Sequence, residues 1–432
     1  MTTAPVEDSV PEGAATQTRL LPPLGQVPEG LRDHLARFGR PPQVPGLIRI
    51  LEEAGLTGRG GAAFPAHRKL AAVRQAVNST RGRAVVIANG AETEPVSDKD
   101  ATLLWLAPHL VLDGLQLAAE AVNADRAILY VHAHRAGDVG VSLDRAVSER
   151  ASANLDRVKV EVVQAPPRFI AGQETALVNH LAGGPALPQF PLPRITERGL
   201  GNSPTLVQNV ETLAHLALIA RYGARWFRAV GTRHEPGSML CTIRRADGMP
   251  KVTEVPLGTP LRDLLGTGHD AVLVGGYHGT WLPAAEAAGL TLDNKSLGSR
   301  GARVGAGIVI ALPRDRCGLA ETARVVRYLA LESAAQCGPC LNGLPRMAAA
   351  LTELAKGRPR ARTREDLERW CGLVTGRGAC HHPDGTAAFV RSALVTFAGE
   401  LDRHARGKCG ATKREPFLPV PSQTPASEED WT

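Results

Sequence analysis

Apolar and polar positions alternate in distinct ways along this chain. Between residues 45 and 230, apolar runs at 84–88 and 127–131 and an alternating run at 158–163 are separated by stretches of helical period. Runs of this kind are typical of strands, and helices between them predict a doubly wound α/β layer with a parallel sheet. The predicted helices of this part are 31–38, 46–54, 103–122 and 143–153.

The pattern changes at about residue 237. Glycine turns now separate short strands, which predict a small mixed β domain; these strands are 238–243, 251–255, 271–274 and 308–311. Amphipathic stretches follow and predict a helical domain; they are 317–331, 344–355, 364–373 and 386–403. We expect a disordered tail over residues 1–30 and a loose tail over 408–432, because both are polar, Pro-rich and aperiodic.

Composition narrows the class of protein. A 432-residue chain that is 43% hydrophobic has room for roughly three domains. No apolar run approaches the ~20 residues that cross a bilayer, and no secretory signal opens the chain. We therefore expect a cytoplasmic protein without direct membrane insertion, or one peripheral to a membrane complex. Seven cysteines in such a setting predict metal ligands or packing rather than disulfides.

The net charge of +7 is spread over scattered basic residues, and only 4% of residues are aromatic. Nucleic-acid binding is not expected, because basic stripes interleaved with stacking aromatics are absent from the sequence. The excess charge suits an acidic redox partner or simply solubility.

A glycine-rich stretch, GLTGRGGAAFPAHRK at residues 55–69, carries the first chemical signal. Glycines ahead of a helix let an anion approach backbone N–H groups, and Arg59 and Lys69 could add positive charge. The stretch is neither G-x-G-x-x-G nor a Walker A loop. It predicts either a phosphate or dinucleotide cradle, or a glycine-rich turn with two solvated cations.

Four stretches in order resemble one family. They are GLTGRGGAAFP at 55–65, NGAETEP at 89–95, GQETAL at 172–177 and PTLVQNVETL at 204–213. Together they resemble the NADH-binding flavoprotein subunit of respiratory complex I and its relatives in NAD-linked hydrogenases and formate dehydrogenases. The resemblance runs from about residue 31 to 405, and the ordered set is far more specific than any single motif.

The resemblance implies a fold and a reaction. The fold is a Rossmann-like FMN/NADH domain at 31–235, a ubiquitin-like β-grasp (SLBB) domain at 236–314 and a helical iron–sulfur-binding domain at 315–407. The reaction is hydride transfer from NADH to FMN, followed by single-electron transfer through the cluster, with the cofactors supplying the chemistry. The expected partner is a ferredoxin-like or iron–sulfur acceptor protein, within a larger oxidoreductase complex.

The family pattern also implies roles for individual residues. The FMN phosphate side would be held by Gly58, Arg59, Gly60 and Lys69. The flavin and its ribityl chain would be bound by the motif residues Asn89, Glu92, Gly172, Gln173, Glu174, Gln208, Asn209 and Thr212. The nicotinamide site would be bordered by Gly61, Phe64 and Glu94, with Glu94 the candidate catalytic residue. The alternative for each acidic position is a helix N-cap or a surface carboxylate.

The flavin motifs depart from the family pattern at several positions. Ala91 replaces an Asp that would bind the polyol, and Gln173 replaces a Glu and removes a negative charge. Phe169 replaces a Tyr, Ala72 replaces an aromatic that stacks on adenine, and Gln208 replaces an Asn. The loss of one stacking contact predicts NADH binding weaker by ~1 kcal/mol.

The cluster motif departs more seriously. ESAAQCGPC at 332–340 keeps Cys337 and Cys340, and Cys380 matches the distant ligand, but Ala334 stands where the family has its first cysteine. Four thiolates normally hold a cubane. The site predicts a [4Fe–4S] cluster with a substitute ligand from Cys371, His381 or His382, or a [3Fe–4S] cluster. Tetrahedral zinc, or buried cysteines without metal, are the alternatives.

Three functions follow from these residues. The first is an FMN-dependent NADH dehydrogenase of a divergent branch. The second is a degenerate scaffold that keeps the fold and a partner surface without turnover. The third is a flavin-only diaphorase with a structural zinc. Cys241, Cys317 and Cys409 have no partner pattern, and free thiols are expected there.

Overall fold

The computed structural model describes residues 18–22, 27–132, 136–190, 192–357, 359–422, 425 and 427–432. Much of the expected N-terminal tail lies outside these residues. Within the described part of that tail, Leu20 is fully buried, and the backbone N–H groups of Arg19 and Leu20 donate to Glu254. These two residues are therefore packed rather than loose.

A four-stranded parallel sheet forms the first half of the chain. Its strands are β1 (Ala84–Gly90), β2 (Ala124–His132), β3 (Val160–Ala165) and β4 (Thr205–Asn209). The strand order is β3-β2-β1-β4, and the predicted doubly wound α/β layer is confirmed as a mixed α/β fold with a parallel sheet. The order reverses between β1 and β4, and ligands of such sheets lie in the crevice at this switch point.

Eight helices accompany this sheet in the described residues. They are α1 (Leu31–Phe38), α2 (Leu47–Ala54), α3 (Ala66–Thr80), α4 (Lys99–Leu106), α5 (Pro108–Val122), α6 (Ala136–Ser152), α7 (Glu174–Leu181) and α8 (Val210–Arg228). The single helix predicted over 103–122 is wrong, because the chain bends by 96° between α4 and α5. Pro108 causes the break, since it lacks an N–H and disfavours helical backbone at Ala107.

No single helix in the described residues is long and apolar enough to cross a membrane. Together, α4 and α5 would be long and apolar enough to span a membrane, but they form a bent pair. Helix α5 is buried along nearly its whole length in the core. Gly114 of α5 lies against the backbone of Leu213 on α8, where a Cβ atom would come within 2.0 Å of the carbonyl oxygen. The two helices therefore cross in close contact.

A second sheet of five strands follows. Its strands are β5 (Ser238–Arg244), β6 (Lys251–Pro256), β7 (His269–Val274), β8 (Thr280–Pro283) and β9 (Ile308–Pro313), with short helices α9 (Leu261–Leu265), α10 (Ala284–Ala287) and α11 (Asn294–Gly298). The strand order is β6-β5-β9-β7-β8. The pair of β5 and β9 is parallel and the other pairs are antiparallel. The sequence pattern missed β8, which has four residues.

A helical region ends the fold. It contains α12 (Gly318–Leu331), α13 (Leu344–Ala355), α14 (Thr363–Val374), α15 (His382–Thr396) and α16 (Ala398–Ala405). The helix predicted over 386–403 is divided into α15 and α16 at Phe397, where the backbone angle ψ is +26° and lies outside the helical range.

The segment from residue 408 is not a loose tail. The backbone N–H groups of Phe417 and Leu418 donate to Glu321 on α12, and the Arg244 guanidinium lies 3.7 Å from the Phe417 ring centroid. Phe417 and Leu418 are buried, and so is Trp431. The apolar side chains in this Pro-rich stretch anchor it against the helical region and the second sheet.

Candidate functional site

The glycine-rich stretch folds into a closed loop in front of α3. The Gly58 N–H donates to the Phe64 carbonyl at 2.9 Å, and an isolated bridge joins Thr57 to Pro65. The loop is tied to the first turn of α8, because the Arg59 N–H donates to Thr212 Oγ1 at 2.9 Å. The tip of the loop therefore lies beside the carboxyl end of β4.

The Arg59 side chain points into the protein. Its guanidinium donates to Thr57 Oγ1 at 2.9 Å and to the Pro236 carbonyl at 3.3 Å, and the residue is only 3% exposed. Burial lowers the pKa of Arg59, and Glu211 partly offsets this. Its predicted role beside the FMN phosphate stays a prediction, and the described bonds show a guanidinium that braces the loop from behind.

Two amides meet at the switch point of the parallel sheet. Asn89 and Asn209 are register neighbours at the ends of β1 and β4, and the Asn89 Nδ2 donates to the Gly172 carbonyl at 2.9 Å. Gly60 sits directly against this pair, since a Cβ atom there would lie 3.2 Å from the Asn209 Cβ. Gln208, one residue earlier on β4, is buried. Tertiary folding thus brings residues of all four motifs to one edge.

The Glu92 carboxylate caps a helix. Glu92 is buried and accepts the backbone N–H groups of Asp100 at 3.1 Å and Ala101 at 3.0 Å, in the first turn of α4. Negative charge at a helix N-terminus satisfies free N–H groups and interacts favourably with the helix dipole. These contacts match the N-cap alternative, and the prediction that Glu92 binds the flavin stays a prediction.

Glu94 joins the two sheets. Its Oε2 accepts the Tyr277 N–H at 3.1 Å, and a Cβ atom at Gly276 would lie 2.7 Å from the same oxygen. Gly276 has φ of +93°, so the turn between β7 and β8 needs glycine there for two reasons. Gly61, at the tip of the glycine-rich loop, also faces the second sheet and lies near Gly305 and Ala306. The predicted nicotinamide border thus lies where the two sheets meet.

The third motif supplies one cap and one ion pair. Gln173 is the N-cap of α7, and its Oε1 accepts the N–H groups of Thr175 at 2.8 Å and Ala176 at 2.9 Å. Gln173 therefore caps the helix as a carboxylate would, but without a negative charge. Glu174 pairs with Lys69 across the loop, and the lysine side chain is 15% exposed.

A buried charge network under the strand ends was missed by the sequence reasoning. Lys99 Nζ lies 2.7 Å from Asp100 Oδ1 and 2.8 Å from Glu211 Oε2, and Glu211 Oε1 accepts the Leu240 N–H at 2.8 Å. Asn209 Nδ2 donates to Asp100 Oδ2 at 2.7 Å, which links the network to the switch point. The available signal was Glu211 within the VETL motif, to which no role was assigned.

The carboxylates of this network titrate in opposite directions. Burial, helped by Glu92 and Glu211 and opposed by Lys99, raises the pKa of Asp100 to about 7. Burial also acts to raise the pKa of Glu211, but Lys99 and His215 lower it to about 2. Burial therefore disfavours the ionised form of Asp100, and Glu211 carries the charge that balances Lys99.

The residues present suit a flavin mononucleotide at this edge. Gly60 carries no side chain where it packs against Asn209. The four motifs and the start of α3 also supply the Asn89 and Asn209 amides, Lys69 and an exposed Phe64 ring. Amides provide donors and acceptors for a polyol and a flavin ring, and Lys69 provides a point charge for a phosphate.

The three predicted cluster cysteines come together from two segments. Cys337 and Cys340 lie at the turn before α13, and Cys380 lies just before α15. Burial raises the pKa of Cys340 to about 12, and both Cys337 and Cys380 contribute to this, so the three thiols are neighbours. The sulfur atoms of these three described cysteines do not all lie within 4.8 Å of one another.

The candidates for the missing fourth ligand differ in their surroundings. The His381 side chain is fully exposed and its Nδ1 lies 3.1 Å from Asp384. His382 is buried and its Nε2 donates to the Leu329 carbonyl at 2.7 Å, so its Nδ1 is unprotonated; Nδ1 has no hydrogen-bond partner within the described part of the chain. Cys371 is fully buried on α14, and burial raises its pKa to about 11.

An aromatic group packs between the strand-end loops and the cysteines. The Phe169 ring centroid lies 4.9 Å from His278 and 5.6 Å from His382, which is two residues beyond Cys380. The Phe169 N–H donates at 2.9 Å to the buried Glu332, which begins the ESAAQCGPC stretch. The loop after β3 therefore contacts both predicted cofactor regions.

Two family models match this chain. One is described as the Nuo51 FMN-binding domain and covers residues 51–218, and the other as the NADH-ubiquinone oxidoreductase-F iron-sulfur binding region and covers residues 320–404. The predictions of an FMN region and an iron–sulfur region, in that order, are confirmed by these matches.

Curated relatives share slightly more than a quarter of the sequence, and all three named here are F subunits of NADH-quinone oxidoreductases. The second such protein of Rhizobium meliloti is 28% identical over 379 residues, which cover 83% of this chain and 88% of the relative. The protein of Streptomyces coelicolor is 29% identical over 401 residues, with 88% and 86% coverage. That of Escherichia coli is 27% identical over 374 residues, with 82% and 83% coverage.

Solved structures of an NAD+-reducing [NiFe]-hydrogenase share the fold. The air-oxidized form matches with a TM-score of 0.76 and 30% identity over 88% of this chain, and the H2-reduced form with 0.74 and 30% over 83%. The chain spans 64% and 62% of those two hydrogenase chains, a little under two thirds of their length.

Proposed function

Because this chain belongs, as a divergent member, to the family of NADH-binding flavoprotein subunits of complex I and NAD-reducing hydrogenases, we propose that it is an FMN-dependent NADH dehydrogenase. It passes electrons through an iron–sulfur cluster to a ferredoxin-like or iron–sulfur protein. Its cofactors are FMN, NAD and a cluster held by Cys337, Cys340 and Cys380.

One observation carries this proposal. The glycine-rich loop, the end of β1 and the end of β4 converge at the switch point, where Gly60 contacts Asn209 and Asn209 faces Asn89. Parallel α/β sheets bind dinucleotides and flavins at this position. The motifs are far apart in sequence, so their convergence supports a shared ligand rather than three independent turns.

The chain's own residues would bind and orient the cofactor. Asn89 and Asn209 present amides to the flavin side, Lys69 neutralises phosphate charge, and Thr212 holds the loop through the Arg59 N–H. Glu174, which pairs with Lys69, would have to share that lysine with the phosphate. When bound, FMN supplies hydride acceptance and one-electron release, and the cluster supplies single-electron transfer.

Phe64 and Glu94 would border the nicotinamide. The Phe64 ring is 53% exposed, which leaves a face for stacking. Glu94 holds the second sheet against this border through the Tyr277 N–H, so it orients the wall of the site. Its part in the reaction is then to fix this wall and to place negative charge near the nicotinamide.

The domain assignment is part of the proposal. Residues 236–314 form an SLBB β-grasp domain, and residues 315–407 form the helical iron–sulfur domain. The strand order β6-β5-β9-β7-β8, with a parallel pair of β5 and β9 in the middle, supports the β-grasp assignment. The net charge of +7 supports an acidic partner, and steering by charge would make the partner's reduction slower at higher salt.

The test is a visible spectrum of anaerobically purified protein before and after NADH, with iron counted on the same sample. We expect a flavin band that bleaches with NADH above a broad iron–sulfur shoulder. Cys340→Ser should lose the shoulder and the iron and keep the flavin. Cys241→Ala, a buried thiol in the second sheet, is the matched control and should keep both. Protein that takes up no FMN would contradict the proposal.

A further inference from the structure

A second group of metal-binding side chains lies outside the flavin and cluster regions. It consists of Cys317, Glu400, His404 and Cys409, and the ligand atoms of all four lie within 4.8 Å of one another. Three of the residues are buried and Cys409 is partly buried. Cys317 comes just before α12, Glu400 and His404 lie one turn apart on α16, and Cys409 follows that helix. The residues are separated in sequence by up to 92 positions, so only the fold reveals the group.

The separations match a single tetrahedral ion. His404 Nε2 lies 3.6 Å from Cys317 Sγ and 3.0 Å from Glu400 Oε1. Around zinc, with bonds of about 2.3 Å to sulfur and about 2.0 Å to nitrogen or oxygen, ligand atoms of a tetrahedron stand roughly 3.3–3.8 Å apart. The ion would require only small adjustments of these side chains.

The surroundings hold three of the four ligands through outer hydrogen bonds. His404 Nδ1 lies 3.2 Å from the Leu354 carbonyl, which would hold the Nδ1 proton and leave Nε2 free for an ion that takes the place of the Nε2 contact with Glu400. The Ala320 N–H donates to Cys317 Sγ, and the Gly410 N–H donates to Glu400 Oε1 at 2.8 Å. Such outer hydrogen bonds stabilise a thiolate and a carboxylate in the form that binds metal.

We propose that Cys317, Glu400, His404 and Cys409 bind one structural zinc ion. Two thiolates, one imidazole and one carboxylate are a borderline-soft, four-coordinate set that suits zinc and leaves no open position for catalysis. The ion with these ligands carries a net charge of −1. The cavity of about 330 Å³ beside the group is rich in cations, with Arg316, Lys356, Lys408, Lys413 and Arg414 in its wall, and these reduce the cost of that charge.

The zinc would fasten the C-terminal segment. Cys409 opens the segment that runs past Glu321 and reaches Tyr277, whose hydroxyl donates to the Pro419 carbonyl. A metal that joins Cys409 to α12 and α16 closes this segment onto the helical region, and binding energy at such a site adds directly to folding stability.

The experiment is metal analysis of the full chain, purified anaerobically after growth with zinc. We compare the native chain with Cys317→Ser/Cys409→Ser and with Cys241→Ala, which removes a buried thiol from the second sheet. The native and control proteins should hold about one zinc per chain, and the double variant should lose it. The iron content should not change, because the cluster cysteines are untouched. Cys409→His, which keeps a zinc ligand, should retain the ion.

Two further readouts keep the test independent of how well the double variant folds. Cobalt added to metal-depleted native protein should give the thiolate charge-transfer and visible bands of a tetrahedral two-sulfur site. Zinc should also slow tryptic cleavage of the native chain after Lys408 and Lys413 by at least tenfold relative to the same protein depleted of metal. The proposal is overturned if the native chain takes up no zinc or cobalt, if the double variant keeps its zinc, or if anaerobic protein carries a Cys317–Cys409 disulfide instead.

Discussion

Replacing Glu211 with glutamine should destabilise the α/β domain by about 3 kcal/mol. The Glu211 carboxylate is fully buried, lies 2.8 Å from Lys99 Nζ and accepts the Leu240 N–H. Breaking a buried ion pair by removing one partner costs about 3–5 kcal/mol. We expect the lower end of this range, because Asp100 stays 2.7 Å from Lys99 and ionises more readily once the Glu211 charge, which raises the pKa of Asp100, is removed.

The pKa of Glu211 leads to a similar figure. Its lowering from 4.5 to about 2, against the opposing effect of burial, corresponds to about 3 kcal/mol of preference for the ionised form in the folded state. Since the folded pKa lies below the unfolded one, this contribution is fully present above pH 4.5 and is lost as the pH falls toward 2. The difference between native and Glu211→Gln proteins should therefore shrink across that window.

The assay is urea unfolding of the apoprotein, with the free energy of unfolding compared at several pH values. Glu161→Gln is the matched control, since Glu161 pairs with Arg126 at 2.9 Å on the surface, where both side chains are more than 40% exposed. Exposed pairs contribute about 0–1 kcal/mol. If Glu211→Gln costs no more than Glu161→Gln, the buried network does not stabilise the domain and the reasoning is refuted.

Three further variants test the cofactor sites. Gly60→Ala should weaken FMN binding at least tenfold without unfolding the protein, because the new Cβ atom would lie 3.2 Å from Asn209. Gly298→Ala is the control, since there is open space around Gly298. Equal flavin retention in the two variants would contradict the prediction that the glycine-rich loop binds FMN. Phe64→Ala should raise the KM for NADH about fivefold, the equivalent of ~1 kcal/mol of stacking, and leave FMN content unchanged; an unaltered KM would exclude the ring from the nicotinamide site. Ala334→Cys should increase the iron bound per chain and give the electron paramagnetic resonance signal of a reduced cubane cluster with NADH; an identical signal in both proteins would show that a fourth ligand is already present.

Much of the architecture follows from local pattern. The runs at 84–88 and 127–131 are strands because apolar residues without helical period must be buried on both faces of a parallel sheet. The helix over 31–38 has the bounds that its period indicates. The helix over 103–122 was misjudged, because hydrophobic period continues through Pro108 whereas the backbone hydrogen bonds do not. Strand β8 escaped because four residues carry too little pattern.

Among the site residues, too, local motifs were recognised in the sequence and long-range contacts were not. Motif order in the chain was enough to identify the family and its two cofactor regions, since glycines and amides at given spacings are local features. The contact of Glu92 with the first turn of α4 was not identified, because a carboxylate that caps a helix and one that binds a flavin look the same in the sequence. The charge network of Lys99, Asp100 and Glu211 and the four-residue group around His404 are equally invisible to local pattern.

The difference has a physical cause. Periodicity and turn chemistry act over a few residues, so the order of elements, the glycine-rich loop and the cysteine spacing are written in the sequence itself. Which polar side chains meet is decided by how sheets and helices pack, because burial forces each charge to find a partner wherever the fold places one. The contact of Asn89 with its neighbour Asn209, and of Cys317 with His404, exists only once α8 and α16 are in position.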